Sequence, residues 1–117
     1  MLYDLDDEQA DYAIRENEFS EEVRNSNVHT AFVLSQSWCP QWIGMKGYLN
    51  SICISHQDID IYVLEYDRKP YFTSFMSMKE TKWNNFEVPY IRYYSNGNLV
   101  SESNFISKEN FIGKLKN

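Results

Sequence analysis

Two cysteines, two histidines, three prolines and four glycines are scattered through 117 residues, and each scarcity excludes something. Two cysteines are too few for a disulfide-stapled miniprotein. They are Cys39 and Cys53. On a single helix they would stand roughly 20 Å apart at ~1.5 Å per residue, whereas a disulfide needs Cα atoms within about 7 Å, so no internal bridge is expected. Cys53 and His56 have a metal-like spacing but form one pair only, and a closed zinc site takes four ligands, so no metal is expected. No apolar run approaches the roughly 20 residues that a membrane helix requires. Met1 is followed by Leu2-Tyr3-Asp4-Leu5-Asp6-Asp7-Glu8, without a basic start or an apolar secretion core, so no signal peptide is read and a cytoplasmic location is the expectation. Glycine-rich phosphate loops, nucleophile elbows and zinc-protease motifs are also missing, and no cofactor is expected.

Positive charge is scarce at one end. Residues 1–22 carry nine carboxylates against Arg15 alone, a local charge of −8, while the remainder comes to +2. An acidic head repels phosphate and argues against nucleic acid as a partner. It reads as a solvated, frayed extension over 1–11, with a folded domain over 12–117. What the chain does have is apolar material: 43% hydrophobic and 16% aromatic residues, enough for one buried core and too much for disorder.

The pattern along the chain reads as alternating strands and helices. Residues 1–11 look irregular or weakly helical, Tyr12–Glu16 a short strand, and Glu18–Arg24 a helix with Phe19 and Val23 on one face. His29–Ser35 has the continuous apolar centre Ala31-Phe32-Val33-Leu34 of a strand covered on both faces. From Pro40 the apolar residues recur at 42, 45, 49 and 52, which is helical spacing. Gly47 in that helix marks a bend or a close packing contact. Ile59–Tyr66 is a second internal strand. Tyr71–Met78 reads as a helix with Phe72, Phe75 and Met76 inward, and Lys79–Asn85 as surface loop or frayed helix. Val88–Ser101 is a hairpin turning at Asn96-Gly97, with Tyr90, Tyr93 and Tyr94 as strand core. Ser107 caps a last helix that buries Phe111, Ile112 and Leu115. The order β-α-β-α-β-(α)-β-β-α predicts an α/β fold, a mixed central sheet with helices on both faces.

The stretch with chemistry in it is Ser37-Trp38-Cys39-Pro40-Gln41-Trp42. A strand ends, and a thiol sits where a helix begins. Unpaired N–H groups and the positive dipole end favour an anion there, and Pro40 fits the first helical turn because its missing donor has no partner to lose. This arrangement resembles the thioredoxin family over nearly the whole chain, from about Tyr12 to Lys116. Trp38-Cys39-Pro40-Gln41-Trp42 stands where the family has Trp-Cys-x-x-Cys after its second strand. Val88-Pro89 stands at its cis-proline, Asn96-Gly97 at the turn of its last hairpin, and Phe19 and Val23 on its first helix. The resemblance implies a thioredoxin-like three-layer α/β/α sandwich.

The departures bear on activity. Trp42 replaces the family's resolving cysteine. No carboxylate falls in the Val33-Leu34 region, where the family buries one, and no lysine falls near Val63. Gly47 stands at the helix-kinking proline, and the segment from Asp67 to Pro89 is longer than the family norm. Without a second thiol in reach, full dithiol cycling is excluded. What the resemblance then implies is monothiol exchange on a protein disulfide, a small-molecule disulfide or a glutathionylated protein. Cys39 would be the nucleophile, Trp38, Pro40 and Trp42 the groove, and Val88 and Pro89 the backbone that pairs with substrate. The rival expectation is a catalytically inactive module that binds a protein partner on the same face or on the enlarged 68–86 segment. Shielding of the sulfur by Trp38 and Trp42 favours that rival. A glutathione-binding role ranks last, since no basic cluster is evident for its carboxylates. A monomer is expected.

Overall fold

The computed structural model describes residues 1–116; Asn117, the last residue of the expected domain, lies outside them. Five strands and five helices run in the order β1 (Leu2–Asp4), α1 (Asp7–Glu16), α2 (Glu21–Arg24), β2 (His29–Ser35), α3 (Pro40–Ser55), β3 (Ile59–Glu65), α4 (Phe72–Lys82), β4 (Tyr90–Ser95), β5 (Asn98–Ser103) and α5 (Lys108–Lys116), with a 3₁₀ turn at Tyr66–Arg68. The strands form one sheet in the order β1-β3-β2-β4-β5. β3 pairs in parallel with both β1 and β2. β4 is antiparallel to β2 and to β5.

Side-chain alternation on β2 divides the core in two. Phe32 and Leu34 join Phe19, Val23, Tyr62, Leu64, Phe75, Trp83, Tyr90 and Tyr94 on one face, under α1, α2 and α4. Ala31 and Val33 join Met45, Leu49, Ile52, Ile59, Ile61, Ile91, Tyr93 and Phe111 on the other, under α3 and α5. A strand buried on both faces cannot alternate polar with apolar, which is why residues 31–34 are apolar throughout. Phe32 is the centre of the first layer, stacked on Phe19 at 3.9 Å and meeting Tyr94 edge-on at 5.3 Å between centroids.

That layer also contains charge. Arg92 of β4 lies buried with Nη2 3.0 Å from Glu18 Oε2, Nε donating to the Tyr94 hydroxyl at 2.8 Å, and Nη1 donating to the Tyr90 hydroxyl at 2.9 Å. Its guanidinium lies 4.3 Å from the Trp83 ring centroid. A planar, fully partnered cation of this kind fixes the strand against the residues preceding α2.

Two readings of the N-terminal region are corrected. Tyr12–Glu16 is helix, not strand: α1 is capped by a reciprocal pair between Asp6 and Gln9, and it buries Ala10 and Ala13. The strand that opens the fold is Leu2–Asp4, at the sheet edge beside β3. The acidic head is therefore ordered, with Asp7 and Glu8 in the first helical turn, where the dipole favours them. A third correction concerns 79–85. α4 continues to Lys82, Lys79 is only 1% exposed, and Trp83 is buried. Gly47 contacts nothing within 4 Å of an ideal Cβ, and α3 runs through it unbroken. The hairpin turns at Asn96 and Gly97, both at positive φ, as a two-residue turn of this twist demands. Among the described residues, no helix is long and apolar enough to cross a membrane.

Two outcomes follow from this packing. Gly47→Ala should raise stability by roughly 0.5–1 kcal/mol in urea denaturation, since the helix gains and nothing is displaced; a loss would mean a close contact at that site. Burial holds the Lys79 ammonium down to about 8. The unfolded chain, with an ordinary lysine, then binds the proton more tightly between about pH 8 and pH 10. This group's contribution to stability accordingly rises with pH across that window. Denaturation at several pH values should show a positive slope there that Lys79→Met diminishes; equal slopes in the two proteins would place the lysine in water.

Candidate active site at the start of the third helix

Ser35 ends β2 and Pro40 begins α3, leaving four residues to make the turn. The turn is pinned from the side. Asp67, in the 3₁₀ turn after β3, accepts from the Ser37 backbone N–H at 2.8 Å and from its hydroxyl at 2.7 Å. Cys39 donates its own N–H to Gln36 O at 3.2 Å and accepts from Ile43 N at 3.0 Å, so it is the N-cap of α3. No side chain caps this helix. The sulfur is the side-chain group at its N-terminus, and Pro40 occupies the first turn.

The thiol points across to the segment before β4. Cys39 Sγ donates to the Val88 carbonyl at 3.6 Å, and the Val88–Pro89 peptide bond is cis. Cys39 is 4% exposed and Pro89 is buried, while Val88 is half-buried. The large apolar side chains flanking this meeting point are outside: Trp38 is 62% exposed and Phe86 73%. Ile43, one turn into α3, and Phe105, next to the Asn104 that bonds Pro89 O, are exposed as well. The thiol is thus buried, while Trp38, Ile43, Phe86 and Phe105, on segments that adjoin Cys39 or Pro89 in the chain or through Asn104, expose their apolar side chains.

The tryptophans expected to share one groove differ in exposure and in partner. Trp38 is on the surface, with its indole N–H donated to Gln36 Oε1. Trp42 is 1% exposed, and its N–H is donated to Glu65 Oε2 at 2.7 Å. It lies against a cleft of about 310 Å³ with Lys46, Glu65 and Arg68, and neither Cys39 nor Pro89 is among the residues of that cleft. Trp42 thus fills the core behind the start of α3 and does not form its outer surface. Pro40 is exposed.

Glu65 and Asp67 are the residues that pattern reading missed. Both stand just beyond the apolar run of β3, and β3 pairs in register with β2 up to Ser35 opposite Glu65. That register brings the two carboxylates beside the turn; two acids directly after a buried strand were the available signal. Each is committed to holding a neighbour: Glu65 holds Trp42 and Lys46, and Asp67 holds Ser37. Cys53 is near the far end of the same helix, free and buried; burial pushes its thiol up. It does not meet Cys39. Among the described residues, no three His, Cys, Asp or Glu side chains cluster as a metal site.

Comparison with known proteins bears on the fold. No protein-family model matches the sequence, and no curated protein matches it. Solved structures do. Thioredoxin O1 from Arabidopsis thaliana in the oxidised state superposes with a TM-score of 0.70 at 14% identity, over 99% of this chain and 98% of that one. Thioredoxin O2 from the same plant gives 0.68 at 13% identity, over 96% and 89%. The oxidised thioredoxin from Plasmodium falciparum gives 0.58 at 13% identity, over 80% and 83%. The chain has the thioredoxin fold.

Removing the indole behind the helix start should be costly. Trp42→Ala leaves a cavity in the layer under α3 and deprives Glu65 of a donor, which should lower stability by about 3–5 kcal/mol in urea denaturation. A loss below about 1 kcal/mol would place Trp42 at the surface, since substitutions there usually stay within that range.

Proposed function

We propose that the protein carries out monothiol exchange from Cys39 on a disulfide presented by a protein or a small molecule. The observation that carries this reading is the placement of one thiol at the uncapped N-terminus of α3, against the Val88 carbonyl beside Pro89. The amides of the first helical turn stabilise the thiolate as it forms. In the first step the Cys39 thiolate attacks one sulfur of the substrate disulfide. The old S–S bond breaks, its other sulfur leaves as a thiolate and takes up a proton, and a mixed disulfide joins Cys39 to substrate. In the second step an external thiol, of the glutathione class, attacks that mixed disulfide on the substrate sulfur, deprotonating as it does so, and Cys39 leaves as thiolate. One external thiol is consumed, one substrate thiol is released, and the other substrate sulfur is left joined to the external thiol, while the protein ends unchanged; where that substrate sulfur must also be freed, a second external thiol attacks the new disulfide and completes the two-electron reduction.

The backbone at Val88 supplies edge groups for an extended substrate segment, and Trp38, Pro40 and Phe86 supply apolar contact. Trp42 backs the helix start from within. Because the sulfur is almost covered, docking has to displace part of this surface before attack. The same coverage favours a second reading, a protein-docking module whose cysteine stays idle. In that case Trp38, Ile43, Phe86 and Phe105 do the binding alone.

Turnover separates the two. With a glutathionylated peptide and excess glutathione, release of the peptide thiol should be accelerated by the wild type and by Cys53→Ser, and not by Cys39→Ser. Insulin reduction driven by dithiothreitol should be poor in all three, because no resolving thiol stands at position 42. Absence of acceleration by the wild type, with Cys39 alkylated only after unfolding, would leave the docking module as the function. Brisk insulin reduction would contradict both readings.

A further inference from the structure

Lys79 is a lysine buried in the core. It is 1% exposed at the end of α4, and its ammonium has one hydrogen-bond acceptor, the Asn85 carbonyl at 2.9 Å. Its remaining donors face the Tyr90 ring, whose centroid is 5.7 Å from Nζ. A methionine would fill similar space without burying a charge, so the ammonium is unfavourable as packing material. What a methionine lacks is a donor aimed at the Asn85 carbonyl.

Asn85 is where that donor matters. Its backbone N–H returns to Lys79 O at 3.3 Å. Its side-chain amide forms a reciprocal pair with Asn104, at 3.2 and 3.0 Å, and its Oδ1 accepts from Glu87 N at 3.1 Å. Asn104 Nδ2 also donates to Pro89 O at 2.9 Å. The bend from Asn84, itself at positive φ, to Pro89 is thereby tied at both ends, and Val88 lies inside it with its carbonyl on the Cys39 thiol.

We propose that Lys79 is a positioning residue for the Cys39 face: through Asn85 and Asn104 it holds the 84–89 bend so that the Val88 carbonyl stays on the sulfur. The consequence for exchange rests on the reading of Cys39 as the reacting thiol; the positioning of Val88 does not. The charged and titratable groups around Lys79 are Glu80 on its own helix, Glu87 in the bend, and Tyr90 on β4 with Arg92 and Glu102 of β5 on the Tyr90 hydroxyl. Burial outweighs the two carboxylates and brings the ammonium down to about 8, while the Tyr90 hydroxyl is pushed up, first by burial.

The test compares wild type, Lys79→Met and Asn104→Ala, each confirmed as folded by circular dichroism. Two readouts are taken: the second-order rate of Cys39 with glutathione disulfide, and the carbon-13 shift of the Val88 carbonyl by nuclear magnetic resonance across the window around pH 8. The expected result is a several-fold faster reaction in both variants, because the bend no longer holds its carbonyl over the sulfur. The Val88 signal should move with a midpoint near 8 in wild type and stay still in Lys79→Met. A wild-type Val88 signal that does not move across the window around pH 8, or one that moves equally in Lys79→Met, would overturn the proposal and leave Lys79 as packing, and unchanged rates in both variants would overturn its consequence for exchange. A wild-type Cys39 that never forms the mixed disulfide would remove the exchange reading, and the Val88 shift alone would then uphold or overturn the positioning.

Discussion

A sulfur-to-carbonyl contact joins the two sides of the candidate site. On one side is the turn from β2 into α3, held by Asp67 through Ser37. On the other is the bend before β4, held by Lys79, Asn85 and Asn104. Cys39 Sγ and Val88 O meet between them at 3.6 Å. Each side is anchored by a charged group committed to a backbone partner, so the meeting point has little freedom to drift. A site built on rigid element ends in this way is set by the sheet register beneath it.

That register begins with β2. Its seven residues pair with β3 on one side and six of them with β4 on the other, and both of its faces are covered. Parallel pairing with β3 carries Glu65 and Asp67 to the C-terminal end of β2, while antiparallel pairing with β4 carries Pro89 to the same end. In open α/β sheets, ligands meet the chain at the carboxyl ends of strands. Here that end has a thiol, with the exposed Trp38 beside it in the chain and the acids turned to scaffolding.

Much of this was legible in the sequence. The apolar run 31–34, the 42-45-49-52 spacing and Asn96-Gly97 each have one dominant physical solution, and each adopts it. Capping chemistry named Cys39 as the start of α3. Other features resisted for identifiable reasons. The strand Leu2–Asp4 is three residues long and exposed on every one, so it has no pattern to show. α1 buries two alanines on its core side, and an acidic helix whose inner face is alanine looks like a polar tail. Lys79 was taken for surface because lysine is almost never fully buried; only its geometry against Asn85 shows otherwise. Trp42 is buried with its indole N–H on Glu65, a carboxylate whose nearness depends on strand register and not on local spacing.

The account stands on the difference between two thiols of one helix, both buried, of which only Cys39 occupies a prepared face. Peptide mapping after brief treatment of the folded protein with glutathione disulfide reads that difference in one sample. The mixed disulfide should form on Cys39, with Cys53 left free. Modification of Cys53 at an equal or greater rate would contradict it.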